Sequence, residues 1–394
     1  MKRFFSYSIL SFFLLLLPTG QASANNNDSI RLSLLTCAPG EEIYSLFGHT
    51  AIRYENSSQG IDVVFNYGLF SFNTPNFIFR FSLGETDYQL GATDYERFAA
   101  EYAFFGRSVW QQTLNLTDEE KTELIRLLQE NYRPENRVYR YNFFYDNCAT
   151  RPRDKIEESI AGKVIYPAEP QDGSLTFRDI VHQYCKGHPW ARFGIDLCIG
   201  SEADQPITQR QMMFAPFYLM DAFDGAQIKG DSIQRPLITA NELIVDATPE
   251  PDESDWMPTP LQCSLLLFIL TAAAIYGIRR RTGLWGIDLF LFGIAGIVGC
   301  VLAFLALFSQ HPAVSSNFLL LVFHPGQLLF LPYIIYCVRK GKKCWYLTLN
   351  LAVLTLFIVL FPVIPQRFDF AVVPLALVLL IRSASNLIVT SKKK

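Results

Sequence analysis

The chain has 394 residues, half of them apolar and only 18% charged, with a formal net charge of −3. That length allows two domains. The apolar excess excludes a purely soluble enzyme, and the faint acidity with no long basic run excludes a nucleic-acid binder.

Residues 1–24 have the layout of a signal peptide. Lys2 and Arg3 precede an apolar core over 9–17, and Ala22-Ser23-Ala24 forms a small-residue cleavage site. No cysteine follows that site, so the chain is not expected to be a lipoprotein itself. Export places the next segment in an oxidising compartment.

Residues 30–36 read as a strand ending in the turn Cys37-Ala38-Pro39-Gly40. Residues 50–54 and 61–67 alternate around a polar, Gly-containing stretch and predict a hairpin entered through the Gly48-His49 corner. Segments 77–83 and 88–91 are expected as further short strands, and 94–105 as a helix. Thr117 and Glu120 form a capping box for a helix running to about residue 131.

The aromatic segment 138–144 reads as extended. It delivers the chain to Asn147-Cys148, after which Ile156 and Ile160 fit a helix. Segments 177–184 and 209–223 predict two more helices. The Met and aromatic face of the second (Met212, Met213, Phe214, Phe217, Tyr218, Met220) suits core packing first, and an acyl-chain groove or membrane surface second. Clustered strands mixed with helices give an α+β domain over 25–247 with a helical extension.

A Pro/Asp/Glu-rich linker follows over 248–260, with Trp256 suited to a membrane interface. Residues 261–394 then form an all-α membrane domain. Its five apolar spans, at 261–278, 286–308, 317–337, 345–364 and 369–389, are each near the ~20 residues a bilayer crossing needs. Basic clusters at 279–281, 339–343 and 392–394 fall on alternate loops. The positive-inside rule puts those loops and the C-terminus in the cytoplasm, and residues 25–260 outside.

Two polar motifs carry the chemistry: Phe47-Gly48-His49-Thr50-Ala51-Ile52-Arg53 and Tyr145-Asp146-Asn147-Cys148-Ala149-Thr150-Arg151. A thiol at a helix N-terminus, paired with an imidazole on a sheet, forms a nucleophile site. Asn147 is the expected cap. Pro152 comes late for a helix starting there, so a cap at Thr150, with Cys148 in the approach loop, is the other possibility. His49 is the expected base. Asn66, on the next strand, is the candidate to orient its ring, with Tyr67 and Arg53 as rivals. Arg53 could also bind a phosphate or carboxylate.

Cys37 is the rival nucleophile, disfavoured because Glu41 and Glu42 would raise its pKa. Of the eight cysteines, Cys185 and Cys198 are the simplest disulfide, closing a short loop. No motif calls for a metal or cofactor. His311 and Asn317, on the outer loop between the second and third spans, are candidates to meet a lipid headgroup. His324-Pro325-Gly326 inside the third span suggests a broken helix.

Histidine on a strand before cysteine at a helix is the reverse of papain's order. It resembles the permuted papain-like group that includes lecithin:retinol acyltransferase, where an Asn-Cys pair likewise starts a helix. More closely, the chain resembles the Bacteroidota lipoprotein N-acyltransferase (Lnb) family. The matching stretches are Leu34-Leu35-Thr36-Cys37-Ala38-Pro39-Gly40-Glu41-Glu42, the Gly48-His49 motif, Phe65-Asn66-Tyr67-Gly68 and the Asn147-Cys148 motif. Pro189-Trp190, Phe193-Gly194-Ile195-Asp196-Leu197, and His311-Pro312 with Asn317 extend it toward the membrane part.

The resemblance implies a Cys-His acyltransferase in the bacterial inner membrane, its catalytic domain facing the periplasm and Cys148 and His49 at the matching positions. Its expected substrates are a phospholipid acyl donor and the α-amine of a diacylated lipoprotein. The same dyad would serve a membrane-tethered cysteine peptidase or amidase acting on cell-wall peptide, and a non-catalytic assembly factor is a third reading.

Overall fold

The computed structural model describes residues 29–73, 75–167, 175–230, 234–247, 257–277 and 284–391. The signal peptide, Trp256 with most of the linker, and the basic clusters at 279–281 and 392–394 lie outside the described residues.

Seven strands form one antiparallel sheet in the order β10-β5-β1-β2-β3-β4-β6. They are β1 (Ile30–Cys37), β2 (His49–Asn56), β3 (Ile61–Leu69), β4 (Asp87–Asp94), β5 (Val109–Leu114), β6 (Val138–Arg140) and β10 (Ile238–Val245). A small sheet joins β7 (Lys163–Ile165), β8 (Gln227–Lys229) and β9 (Gln234–Pro236). The predicted hairpin is β2–β3, with Ala51 opposite Asn66.

Segment 77–83 is a helix, α1 (Phe77–Leu83), where a strand was expected. Phe77, Phe79, Phe81 and Leu83 fall at every second position, as in a strand, but Gly84 at φ +73° caps a helical turn. Helices α2 (Tyr95–Phe104), α3 (Asp118–Tyr132) and α4 (Thr150–Ser159) follow.

Side chains alternate across the sheet, so its two faces build two cores. On one face Leu32, Leu34, Ile52, Phe65 and Tyr67 meet Leu124 and Leu128 of α3, Ala149 just before α4, and Ile156 of α4. On the other, Leu35, Cys37, Ala51 and Val64 meet Phe98 and Tyr102 of α2. The capping box at Thr117 and Glu120 is present as read from the sequence.

Helix α5 (Phe177–Tyr184) is tied to the last turn of α6 (Pro189–Cys198) by Arg178, which donates to Asp196 at 2.5 Å. This overturns the expected disulfide: Cys185 and Cys198 are both free thiols. Cys185 lies at the C-terminal end of α5. The ten residues of α6, about 15 Å of helix, carry Cys198 back toward the α5 N-terminus, where Arg178 donates to the Ile199 carbonyl. A disulfide needs Cα atoms within about 7 Å.

The single helix expected over 209–223 is two, α7 (Gln209–Met212) and α8 (Pro216–Asp224), because Pro216 cannot continue the first. Met212, Met213 and Phe214 are buried, so that face is core.

The C-terminal region is helical: α9 (Pro260–Gly277), α10 (Trp285–Phe308), α11 (Pro325–Leu329), α12 (Leu331–Lys340), α13 (Trp345–Leu360) and α14 (Val372–Ser391). Among the described residues three helices are long and apolar enough to cross a membrane, and up to four if the bent pair 318–329 and 331–340 is one span. That pair bends by 73° at Phe330, just before Pro332, while His324-Pro325-Gly326 starts α11 after a separate break. α13 is a shorter apolar helix of 16 residues. Buried Arg382 and Asp288 bind each other through two hydrogen bonds of 2.7 and 2.8 Å, which suits charges inside an apolar bundle.

The two regions dock through the loops at 309–317 and 365–369. Gly200 and Ser201 donate to the carbonyls of Ala313 and Ser316. Arg367 reaches Asp179 at 2.5 Å and Asp204 at 2.9 Å.

Candidate active site

The site forms at the end of the sheet where β1 stops, β2 starts and β3 stops. Gly48 makes the corner: its φ is +77°, and a Cβ there would fall 2.5 Å from the Cys37 carbonyl oxygen. A side-chain-bearing residue would clash, so glycine is required for His49 to enter β2 opposite Cys37. The His49 Nε2–H donates to Asn66 Oδ1 at 3.2 Å. That bond assigns the tautomer and leaves Nδ1 as the basic nitrogen.

Cys148 arrives from the other layer. The Asn147 side chain accepts from the N–H groups of Ala149 and Thr150 at 2.8 and 2.9 Å, and its Nδ2 donates to the carbonyls of Phe143 and Phe214. Thr150 Oγ1 accepts from the Asn147 N–H at 2.8 Å. Asn147 therefore caps the turn while α4 itself begins at Thr150, with Cys148 in the approach. Pro152 then sits in the first turn, where its missing N–H costs nothing.

Continuing the β2–β3 register two residues beyond Ala51 and Asn66 sets Gly68 across from His49. Cys148 borders the position a Gly68 side chain would take, its Cβ 3.5 Å from where that Cβ would stand. The backbone of Thr50, the residue after His49, bonds to the thiol.

Burial pushes the Cys148 thiol up to about 11, against hydrogen bonding from the backbone of Thr50 and Cys148. Burial holds His49 down to about 4, against the raising effect of Asn66, with Arg107 adding to the depression. The resting pair is therefore neutral thiol and neutral imidazole, suited to general-base activation as substrate arrives.

Cys37, facing His49 in the register, is fully buried and pushed by that burial up to about 12. Burial, rather than Glu41 or Glu42, is what disfavours it. Cys148 is partly accessible.

The remaining expectations divide. Asn66 meets His49. Tyr67 lies on the opposite face of β3, its hydroxyl donating to Asn131. Arg53 stands four residues along β2, chelated by Asp62 at 2.9 and 2.6 Å and donating to Gln111, so it neither orients His49 nor offers an open anion site. The His311 Nε2–H donates to the Phe81 carbonyl at 2.6 Å, pinning α1. Asn317 is buried, its amide bonded to the Leu197 carbonyl, Gln366 and the Leu319 N–H. It joins the two regions and does not face lipid.

Tyr139 was missed in the sequence. It is 7% exposed, and its hydroxyl has no hydrogen-bond partner. That hydroxyl lies 3.9 Å from where a Gly68 Cβ would stand, on the space that Cys148 also borders. Arg151, chelated by Asp146, stacks on the Tyr139 ring at 3.5 Å. A signal existed: Tyr139, Tyr141 and Phe143 alternate along the extended segment and so share a face.

Two family models match the chain. One described as the Lnb N-terminal periplasmic domain matches residues 20–182, and one described as the Lnb transmembrane domain matches residues 252–394. No curated protein and no solved structure matches.

Proposed function

The chain belongs to the Lnb family, and on that premise we propose that it works as a lipoprotein N-acyltransferase through a Cys148 thioester. It is an inner-membrane protein with a periplasmic N-terminal domain. The observation that carries the mechanism is the convergence of Cys148, His49 and Asn66 at one sheet end.

His49 Nδ1 takes the Cys148 proton as the sulfur attacks the ester carbonyl of a phospholipid. The oxyanion is held by backbone N–H groups near Cys148 and by the Tyr139 hydroxyl. A single such donor is typically worth about 10²–10³ in rate. Collapse breaks the ester C–O bond, and the leaving lysophospholipid alkoxide takes the proton from His49. The α-amine of a diacylated lipoprotein cysteine then attacks the thioester and loses its proton to His49, which returns it to the departing thiolate. The products are an N-acylated lipoprotein and free Cys148.

The order of histidine on a strand and cysteine at a helix supports a permuted papain-like domain. Five membrane crossings with a cytoplasmic C-terminus would leave the loops at 309–317 and 365–369 on the periplasmic side, where the catalytic domain docks. The test is the mass of lipoproteins from a Cys148→Ala strain lacking any second acyltransferase. Loss of the third acyl chain is expected. Its full retention would refute the assignment, and release of peptidoglycan fragments by the wild type would favour the peptidase reading.

A further inference from the structure

Helix α1 has no buried residue, although it carries Phe77, Ile78, Phe79, Phe81 and Leu83. Ile78 is 80% exposed and Phe79 59%. An apolar surface of this kind marks a lipid or ligand contact. The helix is fixed in place: the Leu83 carbonyl accepts from Gln310 N–H at 2.9 Å, and His311 holds the Phe81 carbonyl. Phe79 packs on Phe304 of α10, with ring centroids 5.9 Å apart.

Between α1 and the end of α10 nearest the soluble domain runs a groove of about 870 Å³, within the size range of ligand sites. Phe72, Phe77, Phe79, Cys300, Val301 and Phe304 line it. One wall is a helix long and apolar enough to span a bilayer. The other wall leads to the nucleophile. Phe77 stacks on Phe70 at 5.7 Å, Phe70 meets Tyr88 at 5.0 Å, and Phe70 is two residues beyond the Gly68 that touches Cys148.

We propose that this groove holds the acyl chain of the phospholipid donor, lying from Cys300 toward the Phe70–Phe77 stack, so that its ester carbonyl is presented to Cys148. This rests on the acyltransferase reading above. A lipid chain is the fitting occupant because the lining is mostly carbon, one wall is a membrane-type helix, and the aromatic run Phe77, Phe70, Tyr88 leads toward the sheet end that holds Cys148. His311 takes part by pinning α1, not by meeting a headgroup.

The experiment measures acylation of Cys148 by intact mass in the full-length protein without acceptor, using a long-chain and a dibutyryl phospholipid with the same headgroup. Val301→Trp and Cys300→Trp, which fill the groove from the lipid-facing side, should lower the long-to-short rate ratio by about tenfold or more. Leu289→Trp, on the same helix outside the groove, should leave the ratio within about twofold of wild type. An unchanged ratio in both groove variants, or an equal fall in Leu289→Trp, overturns the proposal.

A second measurement does not depend on chemistry. Cys148→Ala protein is irradiated with a phospholipid carrying a diazirine on its acyl chain, in mixed micelles. Adducts should concentrate on Phe79 and Phe304 over Leu289, and an even spread overturns the groove. Concentrated adducts with no acylation of the wild type would leave a lipid groove standing and overturn the acyltransferase reading together with the donor role.

Discussion

Two positions on strand β2 hold polar residues in opposite conditions. At Arg53 the guanidinium is chelated by Asp62, bonded to Gln111 and stacked 3.3 Å over Tyr95. At His49, about 13 Å along the strand, Asn66 holds one ring nitrogen while the other remains a base, and the Tyr139 hydroxyl nearby has no partner. Arg53 is buried with its charge answered; His49, Cys148 and Tyr139 are kept neutral and partly unanswered. An unpaired buried polar group is unfavourable, and on the acyltransferase reading a bound substrate would give the Tyr139 hydroxyl its partner.

That contrast can be broken most strongly at the nucleophile. Cys148→Ala should abolish acyl transfer, by roughly 10⁴-fold or more, whereas Cys37→Ala, the other thiol beside His49, should cost about 1 kcal/mol of stability and leave Cys148 acylation intact. Acylation rates and thermal melts on both variants check this. Removing the base comes next: His49→Ala should slow acylation by about 10²–10⁴-fold. Tyr139→Phe should slow it by about 10²-fold with an unchanged melting temperature, and an unaffected rate would leave the unpartnered hydroxyl without a catalytic role.

The pH profile sharpens the same comparison. His49 must be neutral to act, and its pKa is held down to about 4 chiefly by burial. Activity should therefore persist as pH falls through the ordinary histidine range and decline only near 4. Asn66→Asp places a carboxylate on Nε2–H, which favours the imidazolium. The acid limb should move upward, toward the ordinary histidine value. Four residues along the strand, Arg53→Met should lower stability by about 1–3 kcal/mol without moving the acid limb.

Elements with strong local signals were legible in the sequence. The hairpin, the Thr117 capping box and α5 follow from alternation and capping chemistry that neighbours do not override. So was the placing of Cys148, His49 and Asn66 at one end of the sheet, because Gly48 and Asn147 impose local geometry on the residue that follows each. Segment 77–83 misled because Phe77, Phe79, Phe81 and Leu83 repeat with the period of a strand, whereas the segment is a helix ended by the Gly84 cap. The disulfide failed because loop length says nothing of the rigid helix inside the loop. Arg53 and Asn317 looked available because their partners, Asp62 and Gln111 for one and Leu197 and Gln366 for the other, come from elsewhere in the chain. Tyr139 stood beside Cys148 only once β6 had joined the edge of the sheet.

The most direct measurement is to trap the intermediate: full-length protein is incubated with phospholipid in the absence of lipoprotein, quenched in acid, digested and weighed. The expected result is one acyl chain on the peptide containing Cys148, released by hydroxylamine and absent from Cys148→Ala and His49→Ala. An acyl chain on Cys37 instead, or full N-acylation of lipoprotein by the Cys148→Ala protein, would contradict a thioester at the sheet end.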